Sequence, residues 1–273
     1  MTDTREVLSP CKVNEFLYIT GLMPDGYSFL QTMYTVLDYG DQMEFTVRED
    51  GNFTLEGFDF PMEQNLIYKA ARALKQKTLS PLGADIRVKK ILNEGGGLGG
   101  GSGNAATTLV ELNRMWNCSL LKKDLLDLGA ELGADVPLFI EGGSTFGEYR
   151  GTVLTPVPSP GGWYVVACPR CHVPTEELFK MPDLKRDCPR RTFDELIKLP
   201  FENVFTDVVT KRYPEVAELL EIMSTLGKPR MSGSGGSCFL WFADEDQAKS
   251  AFSSLRSRNI NVFMAKPLRK NAI

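Results

Sequence analysis

Asn93-Glu94-Gly95-Gly96-Gly97-Leu98-Gly99-Gly100-Gly101-Ser102-Gly103-Asn104-Ala105-Ala106-Thr107 places seven glycines between positions 95 and 103. A strand-like run over 84–92 leads into it, and a helical run from 102 to about 116 leads out. Glycine bares the main-chain N–H groups and lets a bulky ligand approach the backbone. A helix starting there adds orphan N–H donors and a partial positive charge. Strand, glycine loop and helix together predict an anion site, and the usual anion is a phosphate. A flexible linker or a tight turn is the alternative, but the run lies between two regular elements rather than between domains.

Gly95-x-Gly97-x-x-Gly100 matches the dinucleotide fingerprint literally, a weak signal inside a glycine run. That fingerprint also wants an acidic residue about 20 residues on, ending a second strand. Here the distance falls at the end of the helix, in Asn113-Arg-Met-Trp-Asn-Cys-Ser119. No GxxxxGK[ST] occurs, which excludes the common nucleotide triphosphatase loop. The loop has no lysine of its own, so a compensating cation has to come from elsewhere in the chain.

The 273 residues fit one large domain or two smaller ones sharing a cleft. A net charge of −4 argues against a nucleic-acid surface held by bulk charge. No apolar run approaches the ~18 residues of a membrane span, and the polar, acidic start does not read as a signal peptide. The expectation is a soluble, cytoplasmic protein with neither nucleic acid nor membrane as partner. The single histidine, His172, rules out multi-histidine metal sites and reads as structural. Cys168-Pro-Arg-Cys171-His172 has the spacing of a covalent haem motif, or of half a zinc site with Cys188 as a further ligand. No second C-x-x-C follows, so reduced thiols are the preferred reading and no metal ligands are assigned. Cys11, Cys118 and Cys238 read as small buried hydrophobes.

Along the rest of the chain, a strand over 9–20 alternates so that Lys12 and Asn14 share a face with Phe16 and Tyr18. Lys12 points either to solvent or, as a held positive charge, into a cleft. Residues 24–28 form a turn. Strands follow over 30–38, 41–48 and 52–55, then a helix over 65–77. After the glycine helix, a helix over 120–132 ends at Gly133. Asp135, in Gly133-Ala-Asp-Val-Pro-Leu-Phe139, is either a helix cap or a desolvated carboxylate in a site. Strands over 144–149 and 152–156 precede a Pro/Gly/Ser-rich break at 156–162, which predicts domains of 1–156 and 157–273. The second half reads as a strand over 163–168, helices over 175–180, 192–198 and 213–226, a second glycine loop from 230 running into a strand, a helix over 244–257 and a strand over 260–265.

Ser9-Pro-x-Lys12-x-Asn14, Asp25-Gly-Tyr27, Gln31-Thr32, Asn65-Leu66, the glycine loop through Ala106, Gly133-Ala-Asp-Val-Pro137 and Gly233-Ser-Gly235 occur in that order. Together they resemble the 4-diphosphocytidyl-2-C-methyl-D-erythritol kinase family of the galactokinase, homoserine kinase, mevalonate kinase and phosphomevalonate kinase (GHMP) superfamily. The resemblance spans essentially the whole chain. It implies an α+β, two-domain architecture with an N-terminal ATP-binding domain, a C-terminal substrate-binding domain and the ligand cleft between them. ATP is the implied phosphoryl donor, with Mg2+ travelling alongside. The implied acceptor is a cytidine-diphosphate-linked methylerythritol, phosphorylated at its 2-hydroxyl in the non-mevalonate isoprenoid route. The resemblance makes Lys12 and Asp135 the catalytic pair and gives ATP binding to Asn65 and the loop from Asn93 and Glu94 to Gly103. It gives acceptor binding to Asn14, Tyr27, Ser28, Thr175, Phe179 and Lys180, with Tyr27 and Phe179 holding the cytosine ring. The implied assembly is a monomer or homodimer. Ser28 stands where the family usually has histidine, Glu15 where it is usually apolar, and Gly103 where a second serine is usual.

Overall fold

Two long strands carry the first half of the chain. β1 (Thr4–Leu22) and β2 (Ser28–Arg48) pair antiparallel along nearly their whole length, in a computed structural model that describes residues 4–93 and 95–268. The sequence suggests a break in β2 near Gly40, but the strand runs through it. A side chain at Gly40 would lie 1.9 Å from the Ser9 carbonyl. Glycine therefore lets the two backbones approach where the register shifts between Pro10 and Cys11.

β3 (Phe53–Glu56) lies parallel to β4 (Gly83–Lys89), and β5 (Ser144–Tyr149) and β6 (Val153–Pro156) complete a six-stranded sheet in the order β3-β4-β2-β5-β6, with β1 on β2. α1 (Leu66–Thr78), α2 (Gly100–Met115), α3 (Lys122–Leu132) and α4 (Val136–Glu141) bury their apolar faces against this sheet around Phe45, Leu74, Leu109 and Phe139. α4 is not evident from periodicity, because it is short. Its Pro137 sits in the first turn, where a missing N–H costs nothing.

A four-stranded sheet follows, built of β7 (Trp163–Cys168), β8 (Arg230–Met231), β9 (Cys238–Phe242) and β10 (Asn261–Ala265) in the order β10-β7-β9-β8. The helices of this half are α5 (Thr175–Phe179), α6 (Phe193–Leu196), α7 (Thr206–Arg212), α8 (Pro214–Ser224) and α9 (Glu245–Ser257). The mixed α and β content agrees with the α+β expectation. The change of sheet falls between Pro156 and Trp163. Packing does not divide so sharply, since Leu17 and Ile19 of β1 lie in one core with Val165, Phe205 and Leu255. Among the described residues no helix is long and apolar enough to cross a membrane.

One expectation for β1 is corrected. A second register shift, between Asn14 and Phe16, leaves Glu15 opposite no partner in the ladder. Such a bulge flips the alternation. Lys12 and Asn14 therefore share a face with Leu17, and all three line the central cavity, whereas Phe16 and Tyr18 join a separate core with Phe146 and Leu196.

Candidate active site

The loop from Asn93 to α2 opens onto a cavity of about 630 Å³ that reaches between the two sheets. Gly95, Gly97 and Gly99 take left-handed φ of 70°, 73° and 72°. Close approach is the reason at Gly97, where a Cβ would stand 2.2 Å from the Ser232 carbonyl. Gly99 holds the N-cap position of α2, and among the described residues no side chain caps that helix. Its first-turn N–H groups are left to a ligand.

The two glycine loops interlock. Ser232 Oγ donates to the Gly97 carbonyl at 3.0 Å and accepts from the Asn14 N–H at 3.2 Å, while the Ser237 N–H reaches the Gly96 carbonyl at 3.1 Å. The Lys12 N–H bonds the Leu98 carbonyl at 2.9 Å. β1, the phosphate loop and the second glycine loop are thus pinned together around one point.

Lys12 occupies that point. It is 4% exposed, with Nζ donating to Asn14 Oδ1 at 2.6 Å, 3.8 Å from Asp135 Oδ2 and 5.7 Å from the Tyr34 ring centre. Asn14 is itself held by Thr32, whose Oγ1 receives the Asn14 amide at 2.8 Å. Asp135 stands at the N-cap of α4, yet its side chain makes no capping bond. The capping alternative therefore lapses, and the carboxylate is turned to the cavity with its side chain 34% exposed. Burial pulls the Lys12 pKa below the ordinary lysine value, and the charge of Asp135 opposes that fall. If the protonated ammonium is needed for turnover, the rate should fall on the alkaline side at a pH below the ~10.4 of an unperturbed lysine. A kcat profile from pH 7 to 11 checks this, and a profile flat to pH 10.5 would contradict it.

The cavity wall brings together Asn65, Asn93, residues 95–102, Asn14, Thr175 and Phe179. Asn65 also caps α1, accepting the Ile67 N–H at 2.9 Å. Other nominated residues lie elsewhere. Gly103 is buried against β1, where a Cβ would stand 2.6 Å from the Pro10 carbonyl, so the missing serine follows from helix–strand packing. Ser28 is buried at the end of β2 and outside the wall. Lys180 is on the surface, paired with Glu176 at 2.6 Å. Tyr27 is 57% exposed at the rim. Glu94 falls outside the described residues. The wall also contains residues that the sequence reading passed over, including Lys90, Leu30, Tyr34, Phe205 and Arg150. Lys90 sets an ammonium on the loop's wall, paired with a carboxylate of its own. Its Nζ lies 2.5 Å from the buried Asp41, which also accepts the Ile91 and Leu92 N–H groups at 2.7 and 3.0 Å.

Glu15, unexpected beside the site, is buried and satisfied. It pairs with Arg230 at 2.7 Å and accepts from the Tyr164 hydroxyl, whose pKa is pushed up by burial and then by Glu15 itself. The network ties β1 to β7 and β8 next to Ser232. The cysteine motif does no comparable work. All six cysteines are free, and among the described residues no three His, Cys, Asp or Glu side chains stand close enough to hold a metal ion. His172 packs against the loop at Gly95, where a Cβ would lie 2.2 Å from its Nδ1.

Residues 65–143 match the GHMP kinases N terminal domain and residues 184–261 the GHMP kinases C terminal. A 4-diphosphocytidyl-2-C-methyl-D-erythritol kinase of Mannheimia succiniciproducens is 44% identical over 95% of this chain and 86% of its own length. One from Vibrio cholerae is 43% identical over 96% and 92%. A crystal structure of a 4-(cytidine 5'-diphospho)-2C-methyl-D-erythritol kinase superposes with a TM-score of 0.84 at 27% identity, covering 96% of this chain and 98% of that one. A homoserine kinase from Cytophaga hutchinsonii shares the fold at a TM-score of 0.68 and 15% identity. With an uncapped helix behind a glycine cradle and a lysine facing a carboxylate at its mouth, the chain belongs to the 4-diphosphocytidyl-2-C-methyl-D-erythritol kinase family of the GHMP kinases, which use ATP as co-substrate.

Proposed function

We propose that the chain transfers the γ-phosphoryl group of ATP to the 2-hydroxyl of 4-diphosphocytidyl-2-C-methyl-D-erythritol, a step of non-mevalonate isoprenoid synthesis. The observation that carries this reading is the 3.8 Å pair of Lys12 and Asp135, set at the mouth of the phosphate loop. Chains sharing 43–44% of the sequence bear that substrate in their names.

A tertiary alcohol is a poor nucleophile, and its proton must leave as the phosphorus–oxygen bond forms. Asp135 is placed to accept it. Lys12, 3.8 Å from that carboxylate, faces the negative charge on the transferring group. The loop N–H groups and the start of α2 hold the phosphates, and Lys90 adds a cation on the same wall. In this reading Asn65 and Asn93 serve the nucleotide and Asn14, Thr175 and Phe179 the acceptor, all five being residues of one wall. Asp135 and Ser102, among the side-chain oxygens of the wall, would hold a magnesium ion. Such an ion would neutralise phosphate charge. Positioning, rather than covalent chemistry, does most of the work.

Steady-state assays with ATP and three acceptors test the proposal: the cytidine-diphosphate alcohol, mevalonate and homoserine. Turnover should be confined to the first. Preference for mevalonate or homoserine would overturn the choice of acceptor while leaving a GHMP kinase. Phe179 packs edge-on against Phe205, with ring centres 4.9 Å apart, and both line the cavity. Phe179→Ala should raise KM for the cytidine acceptor by about tenfold, the value of one lost base stack of ~1–3 kcal/mol, and leave KM for ATP within twofold of wild type. Equal changes in both constants would argue against a stacking role.

A further inference from the structure

Three cations line the cavity among the described residues: Lys12, Lys90 and Arg150. The first faces the reacting centre and the second stands beside the phosphate loop. Arg150 lies on the turn between β5 and β6. Its guanidinium covers the Tyr27 ring with its carbon 3.6 Å from the ring centre, and it pairs with the Asp25 carboxylate. The turn beneath it is fixed. Tyr149 takes a left-handed φ of 58°, and a Cβ on Gly151 would stand 2.3 Å from the Tyr34 hydroxyl. Tyr34 in turn lies under Lys12. One buried tyrosine therefore sets both the reacting lysine and the hairpin that carries the arginine.

Resting on the acceptor assignment above, we propose that Arg150 is the specificity-determining residue that binds the acceptor's diphosphate. A guanidinium carries five N–H donors in a planar fork that matches phosphate oxygens two at a time. Asp25 engages one edge and Tyr27 one face, so the remaining donors are free to meet an anion in the cavity. Stacking on the aromatic ring restricts the side chain before the ligand arrives and lowers the entropy lost on binding. The pair with Asp25 is exposed, at 40% and 52% for the two side chains. A pair so exposed contributes little and is a weak competitor for a phosphate group that binds through two charge-assisted bonds.

The test is calorimetry on the full-length chain with a non-hydrolysable ATP analogue filling the nucleotide site. CDP and cytidine are titrated into wild type, Arg150→Gln and Arg150→Lys. Wild type should bind CDP at least about tenfold tighter than cytidine, the scale of one hydrogen bond to a charged group. Arg150→Gln should shrink that preference to within about threefold without weakening cytidine, and Arg150→Lys, which keeps the charge but not the fork, should fall between. In kinetic assays the same Gln variant should raise KM for the cytidine-diphosphate alcohol by about tenfold and leave KM for ATP unchanged. The proposal is overturned if Arg150→Gln keeps the wild-type ratio of CDP to cytidine affinity, or weakens cytidine as much as CDP. The two readings separate cleanly. No turnover of the cytidine-diphosphate alcohol by wild type, with an Arg150-dependent preference for CDP, sinks the acceptor assignment alone. Turnover with no such dependence sinks only the role given to Arg150.

Discussion

Asp135→Asn is expected to lower kcat by on the order of 10² to 10⁴, the range for removing a positioned general base, with ATP affinity preserved. The amide is nearly isosteric and the aspartate makes no capping bond to α4, so the helix and Pro137 should not move. Lys12 loses its carboxylate partner at 3.8 Å but keeps Asn14 Oδ1 at 2.6 Å, which holds the ammonium in place. The loss should therefore appear in single-turnover rates with saturating ATP and acceptor. Unchanged binding of an ATP analogue would show that the phosphate loop is intact. A variant with near-wild-type turnover would make Asp135 a structural residue and remove the chemistry assigned to it.

Lys12→Met is expected to cost as much in rate and to leave the fold no less stable. Lys12 is 4% exposed, and its pKa is lowered chiefly by desolvation. A group whose folded pKa lies below its unfolded value costs stability while both states are protonated. That cost is relieved as pH rises from the folded value toward the unfolded one. At neutral pH the ammonium is therefore a net burden on folding, and methionine fills similar volume without it. Asp135, partly exposed, remains solvated in the variant. Thermal unfolding at pH 7 should give a Tm equal to or above wild type, while kcat falls by on the order of 10² or more from the lost transition-state charge. Lys12→Met should also reduce the stability gain on going from pH 8 to pH 10, since the titrating group is gone. A large drop in Tm would identify Lys12 as a structural partner rather than a functional charge held at a cost.

The phosphate loop was legible in the sequence because glycine density between a strand and a helix has few other uses. Lys12, Asn14 and Asp135 were legible through the motifs around them. Their geometry was not. The alternation of β1 put Phe16 and Tyr18 beside Lys12, because a bulge at Glu15 carries no signature in a run of mixed residues. Glu15 looked like a stray charge, since its partners Tyr164 and Arg230 lie 149 and 215 residues away. The second glycine loop was visible as composition, but its purpose depends on Ser232 meeting Gly97 across 135 residues. Lys90 had a signal that went unused. The loop needs a cation, and the preceding strand ends at Lys89 with Lys90 directly after it, fixed by Asp41. Gly103 misled in the other direction, because a glycine in a phosphate loop reads as ligand-facing while this one exists to let α2 cross β1.

β1 also bears on how the polypeptide reaches its native state. Its Leu17 backbone bonds to Glu202 and Val204, and the Ile19 carbonyl accepts from Cys188, so this strand finds these partners only far along the chain. Until those later segments are in place, Leu17 and Ile19 lack the core that covers them. Such delayed, long-range closure slows folding and leaves nascent chains open to aggregation.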